Sequence, residues 1–591
     1  VPTDVAVQRS ILIDRLISKW ELQSVPWAAV AWGVAFAVFM TRLLKGEAFM
    51  DVLAAPKAEG SAEAPTGNSL IRTLDWSHAF WFAAGTPALV LFSVGAIAAT
   101  AGNVSPLVWT ISIIFGFLQA FTYAEISSMY PHKSGGASVY GALAWVRYGK
   151  MLGPISVWSN WFSWTPVLAI GTGLGAGYIL NLFFPSDHPV QTWQITLLSL
   201  DFMKEGLSLR INSTFVLGWI LVLIVFSVQH RGVLKAANLQ RILAIAALTP
   251  LLIVGLIPIL TGHTPIENFT PFVPLARDAD GNAIAGAWDM AGLTVFAGAL
   301  FIAGWSTYAF ETAVCYTREF RNPGTDTPKA LISAGILCLV VFSLVPLSFQ
   351  GALGLNGMLD PGIYSGMGVA DAMAGMLGFG QLATKVIIVM LILSLLLTVS
   401  MAMAGSARTL YQGSVDGWLP RYLSRVNSHG APVAAMWTDL TFNMLLLMMS
   451  DYVFLLAIAN VNYMIFIFLN LQAGWLHRID RPDTPRPYRA PNVLLAIGAL
   501  LGFVNLFLLG MGANIWGPGT LASGIVVALL ILPVFAFRHY IIDRGVFPPQ
   551  TFEDIAGVDE SKVKTRAGVL PYLTLALGVA VVAAGYSLAK L

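Results

Sequence analysis

Charge is what this chain has least of. Lys, Arg, Asp and Glu make up 11% of its 591 residues and hydrophobic residues 57%, whereas a soluble domain carries about 25% charged residues. With a mean hydropathy of +0.73, the composition excludes an ordinary water-soluble fold and predicts an all-α, polytopic membrane protein. Cysteine is nearly absent. Its two copies, Cys315 and Cys338, lie in or beside apolar runs, so buried free thiols are expected rather than a disulfide framework. No CxxC, HExxH, GxSxG or Walker-type pattern occurs, which argues against a membrane enzyme or an ATP-driven pump. No cofactor or metal is expected. A ring of pore-lining charges and a selectivity-filter motif are also missing, which argues against a channel. Nothing points to nucleic acid.

What is there comes as a long series of apolar runs. Residues 11–22 read as a short amphipathic helix suited to the membrane interface, with Ile11, Leu12, Leu16, Ile17 and Trp20 set against Asp14, Arg15, Lys19 and Glu21. The run 26–44 is long enough to cross a bilayer, with an in-plane helix as the alternative. A polar Ala/Pro/Gly-rich linker follows at 54–69. Spans are then expected at 77–100, 104–128, 153–183, 211–229, 239–261, 290–316, 330–354, 382–406, 432–450, 452–475, 492–512, 521–538 and 568–588, thirteen in all.

Basic residues give these spans an orientation. Lys133, Arg147 and Lys150, then Arg231 and Lys235, then Arg318, Arg321 and Lys329 fall in alternate loops, and Arg408, Arg421, Arg425, Arg478, Arg486, Arg489, Arg538 and Arg566 continue the series. The intervening loops mix a few bases with acids. By the positive-inside rule the basic loops, and the linker at 45–76, are cytoplasmic, in a plasma or inner membrane.

The most informative stretch is 301–330, FIAGWSTYAFETAVCYTREFRNPGTDTPKA. An apolar helix is interrupted by Gly304-Trp305-Ser306-Thr307-Tyr308, resumes around a carboxylate, Glu311, and leaves through Asn322-Pro323. An ionisable group beside a Gly/Ser/Thr break is costly in lipid and by default marks a functional site. Broken helices are tolerated at membrane depth only where protein or a cavity surrounds them. The structural alternative is a kinked helix whose Glu311 ties neighbouring helices together.

Four motifs carry a family resemblance. Tyr123-Ala124-Glu125-Ile126 precedes Pro131 and Ser134-Gly135-Gly136; the 301–330 stretch closes on Asn322-Pro323 and Pro328-Lys329-Ala330. Ala407-Arg408 leads to Asp416-Gly417-Trp418-Leu419-Pro420 and Pro432, and Arg486-Pro487-Tyr488-Arg489-Ala490-Pro491 follows the tenth span. In this order and at these positions the chain resembles the amino acid–polyamine–organocation family of secondary transporters over about residues 77–540. The resemblance implies a LeuT-like fold of 5+5 inverted repeats with broken spans one and six, extra C-terminal helices and an N-terminal apolar helix. It divides the chain into 1–76, a first repeat 77–261, a second repeat 290–475 and peripheral spans in 476–591.

The resemblance also implies where substrate binds. Gly85-Thr86-Pro87-Ala88-Leu89 stands at the break of span one, where the family presents backbone N–H groups to a carboxylate; Pro87 replaces a glycine there and removes one donor. Gly85, Thr86, Ala88 and Leu89 are therefore expected at the site, with Trp305, Ser306, Thr307 and Tyr308 from span six. Glu311 is expected at the start of the second half-helix, where a carboxylate meets exposed N–H groups, as a proton-coupling or a structural group. Trp158, Trp161 and Trp164 are spaced on one slowly drifting face of span three. Ser394, Thr398 and Ser400 of span eight, and Asn460, Asn462 and Asn470 of span ten, offer polar groups to a ligand or to other helices. No Lys or Arg lies mid-span near this region, which favours neutral or cationic amino compounds. The expected function is transport of amino acids or related amines by alternating access, with H+ or Na+ coupling and exchange as alternatives. The alternative from another class is a non-transporting sensor or partner subunit, in a dimer or bound to a second chain.

Overall fold

Each of the thirteen expected spans coincides with a helix in the computed structural model, which describes residues 72, 74–231, 233–556 and 565–591. The expected helices at 11–22 and 26–44 and the linker at 54–69 lie outside the described residues. Among the described residues ten stretches are long and apolar enough to cross a membrane, and the first of them, Trp76–Ser128, contains spans one and two, separated at Gly102. Ala244–Leu260 and Val433–Leu447, spans five and nine, are shorter apolar helices. The most apolar window of Trp76–Ser128 is 100% buried and that of Leu570–Leu588 is 17% buried. Span one, buried throughout residues 83–99, therefore lies at the centre, and span thirteen lies at the edge with Leu573, Leu577 and Val579 outward. Val216, Ile220 and Ile224 do the same for span four, at the four-residue spacing that keeps side chains on one helix face. Cys315 and Cys338 are free and buried.

Two small hairpins complete the helical architecture. Gln194–Ser199 pairs with Ser208–Asn212, and Leu275–Arg277 with Ala283–Ala285, both antiparallel. A cleft of about 220 Å³ opens beside the second, lined by Asn103, Glu267, Asn268, Pro271, Leu275 and Asn356.

The opposite, basic face is closed by the four motifs, which meet in pairs. Glu125 at the end of span two receives Arg478 Nε at 2.8 Å and Nη2 at 2.5 Å, and also the Ala490 N–H at 2.8 Å. The Tyr-Ala-Glu motif is thus joined to the Arg-Pro-Tyr-Arg segment. Arg408 of span eight forms a two-pronged pair with Glu319 at the end of span six. Gly135, at φ +94°, brings its N–H to the Cys315 carbonyl at 3.1 Å, and a Cβ there would lie 2.9 Å from the Arg408 carbonyl. This position needs both the left-handed conformation and the absent side chain.

Beyond the motifs, the short helix Pro549–Ala556 lies against the same face. Lys133 Nζ bridges Asp416 Oδ1 at 2.6 Å and Asp554 Oδ2 at 2.9 Å, His132 also reaches Asp554, and Arg147 and Arg481 both donate to the Ile555 carbonyl. Burial opposes the charge on Asp554, but the His132 hydrogen bond and the Lys133 ammonium outweigh it and hold its carboxyl below the usual range. Burial likewise opposes the charge on Lys133, and Asp416 and Asp554 outweigh it, raising the ammonium above the usual lysine value. A depressed carboxyl stabilises the fold above its unfolded pKa and loses that contribution as pH falls through the folded value. A raised ammonium contributes fully below its unfolded pKa and loses this as pH rises through the folded value. The strap is therefore expected to hold between about pH 4 and pH 10. Asp554→Asn should lower the hydrogen-exchange protection factors of residues 549–556 at neutral pH to the values that the unmodified chain shows only in acid.

Candidate functional site

Spans one and six both come apart in the middle of the protein. Span one runs as Trp76–Ala83, turns into a 3₁₀ segment at Thr86–Leu89 and resumes as Val90–Ala101. Pro87 removes an N–H there. Gly85 has ordinary helical dihedrals, φ −71° and ψ −23°. Its requirement is proximity, not conformational freedom: a Cβ would stand 3.2 Å from the Leu397 carbonyl of span eight. Thr398 of span eight donates to the Gly85 carbonyl at 2.7 Å, which gives the opened backbone a partner.

Span six breaks later than its sequence suggests. Met290–Thr307 remains α-helical, so Trp305, Ser306 and Thr307 occupy its last turn, and the irregular part is the 3₁₀ run Ala309–Glu319. Such runs seldom exceed three or four residues. Thr312 and Thr317 help hold this one, each bonding the carbonyl three residues back, at 2.9 and 2.8 Å. All of 309–317 is buried, the condition under which irregular backbone survives at membrane depth.

The last α-helical turn of span six meets the break of span one and the turn that follows it. Ser306 Oγ lies 3.0 Å from Ser93 Oγ and donates to the Leu89 carbonyl at 3.4 Å, while the Trp305 and Phe92 rings pack at 5.8 Å. Thr86 Oγ1 lies 3.3 Å from Met401 Sδ; Ala88 and Leu89 are buried beside it. Trp305 donates its indole N–H to the Ser163 carbonyl, and Thr307 Oγ1 meets Ser112 Oγ at 2.8 Å. Tyr308 points elsewhere, its hydroxyl donating to Asn505 Oδ1 of span eleven at 3.1 Å.

Glu311 sits in the first turn of the 3₁₀ run rather than on a new α-helix. Its Oε1 accepts the Trp164 indole N–H at 3.3 Å and the Tyr463 hydroxyl at 3.5 Å, from spans three and ten, whereas Oε2 has no hydrogen-bond partner among the described residues. The expected backbone N–H donors are replaced by side chains. A buried carboxylate oxygen without a partner is costly unless a proton or a cationic donor meets it. The site thus holds hydroxyls, an indole and one carboxylate acceptor, the set that suits an amine.

The tryptophans of span three divide among neighbours. Trp158 donates to the Val527 carbonyl at 2.7 Å, Trp161 to Asp439 Oδ1 at 3.0 Å and Trp164 to Glu311. Of the other polar groups, Ser394 donates to the Ala247 carbonyl and Ser400 accepts from Gln229, both helix-to-helix bonds. Asn460 bonds the Phe301 carbonyl, Asn462 the Gly524 carbonyl and Asn470 the Ser156 hydroxyl. Asp439 escaped the sequence reading, although an acid interrupting the apolar run 432–450 is a recognisable signal.

Comparison with known proteins agrees with this architecture. A family model described as amino acid permease matches residues 74–536. The chain is 25% identical over 439 residues to the branched-chain amino acid permease BcaP of Lactococcus lactis, covering 72% of this chain and 85% of that one. It is 24% identical over 463 residues to the polyamine transporter PUT1 of Oryza sativa, covering 74% and 75%. It is 26% identical over 346 residues to the arginine/ornithine antiporter ArcD1 of L. lactis, covering 56% and 60%. The chain belongs to the amino acid permeases of the amino acid–polyamine–organocation family, and is an integral membrane transporter rather than an enzyme.

Proposed function

We propose that this protein is a secondary active transporter that moves amino acids or related amines by alternating access. Substrate binds where the break at Gly85–Leu89 faces Trp305–Thr307, with its ammonium directed at Glu311. The observation that carries this reading is the buried Oε2 of Glu311, without a partner among the described residues, in the irregular part of span six. In this arrangement residues 77–261 and 290–475 act as the two repeats, and the basic face is cytoplasmic. The pairs Arg408–Glu319 and Lys133–Asp416 close that side. The burial of both breaks supports a resting state sealed at its centre, from which a rocking bundle opens to either side.

The relatives narrow the panel to be tested: branched-chain amino acids, arginine and ornithine, and polyamines. In proteoliposomes preloaded with one of these, the labelled compound should accumulate by counterflow. Uptake no greater than in empty vesicles across the whole panel would favour a non-transporting sensor or partner subunit.

A further inference from the structure

A second carboxylate hangs from the same turn of span three. Asp439, on span nine, is 0% exposed and stands about 10 Å of helix rise inside Pro432. Its two oxygens are held unequally. Oδ1 accepts the Trp161 indole N–H at 3.0 Å and the Thr165 hydroxyl at 2.5 Å. Neither donor has a choice. The indole can only donate. The Thr165 oxygen accepts from Asn443 Nδ2 at 2.7 Å, and Asn443 is itself fixed by the Ala169 N–H on its Oδ1 at 3.1 Å and by its bond to the Asp439 carbonyl at 2.9 Å.

Among the described residues Oδ2 meets a single group, Ser406 Oγ of span eight, at 2.6 Å. That hydroxyl has a second acceptor in reach, the Met403 carbonyl at 3.3 Å. A hydroxyl carries one hydrogen and two lone pairs, so it can serve either state of the carboxyl. With Asp439 ionised, Ser406 donates to Oδ2. With a proton on Oδ2, the new O–H donates to Ser406 Oγ, and the serine hydrogen turns to Met403. Both states are fully hydrogen-bonded with no heavy atom displaced.

We propose that Asp439 is a proton-binding site, with Oδ2 the oxygen protonated and Ser406 the hydroxyl that turns. The proton comes from water and returns to it; no other bond is made or broken. Among the described residues no cation holds the carboxylate permanently charged. Span nine itself offers no other titratable group. On span eight Arg408 is engaged by Glu319 and Tyr411 lies further along the helix. On the Arg421–Ser424 turn, Arg421 pairs with Asp543 and Tyr422 bonds Thr438. From span four His230 stands at the basic end, its carbonyl bonded by Asn427. Among the described residues none of these bonds Asp439. Coupling of this proton to flux rests on the transport reading; binding of the proton does not.

Infrared difference titration of the full chain in lipid nanodiscs tests the site. The unmodified protein should show the carbonyl band of a buried carboxylic acid growing on acidification. In Asp439→Asn that band should be lost, and in the milder Ser406→Ala it should change frequency. In counterflow, Asp439→Asn should flatten the pH profile. Ser406→Ala should move it upward by about one pH unit, because the anion loses one charge-assisted bond. Carbonyl bands identical in all three proteins would overturn the proposal. A band that behaves as described in a protein without flux would overturn the transport reading and support the proton site.

Discussion

Replacing Arg408 by methionine should cost about 3–5 kcal/mol of stability, because it leaves Glu319 buried without its cation. Both side chains are 4% exposed or less. The guanidinium spends its donors on Glu319 and on the Ala404 carbonyl at 2.8 Å, and its plane lies over the Tyr316 ring at 5.0 Å. The double variant Arg408→Met with Glu319→Gln should recover most of the loss, since removal of both charges eliminates the desolvation term along with the attraction. Denaturant unfolding in detergent measures both, and a single variant as stable as the parent would mean that water reaches the pair. The same cycle bears on function. If this pair closes the basic face, the double variant should also label faster with a thiol reagent at a cysteine introduced beside Gly135.

Glu311→Gln should lower transport of amines about 10- to 100-fold, the value of a hydrogen bond to a charged group. It should also flatten the pH dependence. Thermal stability should change little, because the amide oxygen can keep the Trp164 and Tyr463 donors now held by Oε1. This separation of effects distinguishes a substrate or proton group from a helix tie. An unchanged rate and pH profile, measured in proteoliposomes, would reduce Glu311 to holding the 3₁₀ run in place.

The segments that cross the membrane were legible because apolar length is a strong, local signal. So was the break of span one, where Pro87 forbids a regular helix whatever surrounds it. The break of span six was legible in kind but misplaced. Ser306 and Thr307 look like helix breakers in isolation, yet Thr307 bonds the Ala303 carbonyl and both hydroxyls find partners on spans one and two, so the helix continues. The 3₁₀ run that follows has ordinary helix-forming residues, and its tight winding depends on its buried neighbours. The partners of Trp158, Trp161 and Trp164 were not legible either. A three-residue step drifts by about 60° on an α-helix, which is enough to hand each indole to a different span. The pairing of the motifs, Glu125 with Arg478 and Arg408 with Glu319, joins residues 353 and 89 positions apart. Only the folded chain reveals such partners.

Where the substrate sits can be seen directly, in a density map of the protein saturated with a compound it transports. Added density is expected between Gly85–Leu89 and Trp305–Thr307, with an amine nitrogen within hydrogen-bond distance of Glu311 Oε2. Density confined to the cleft beside Asn103 and Glu267, with the two opened helices still packed on one another, would contradict it.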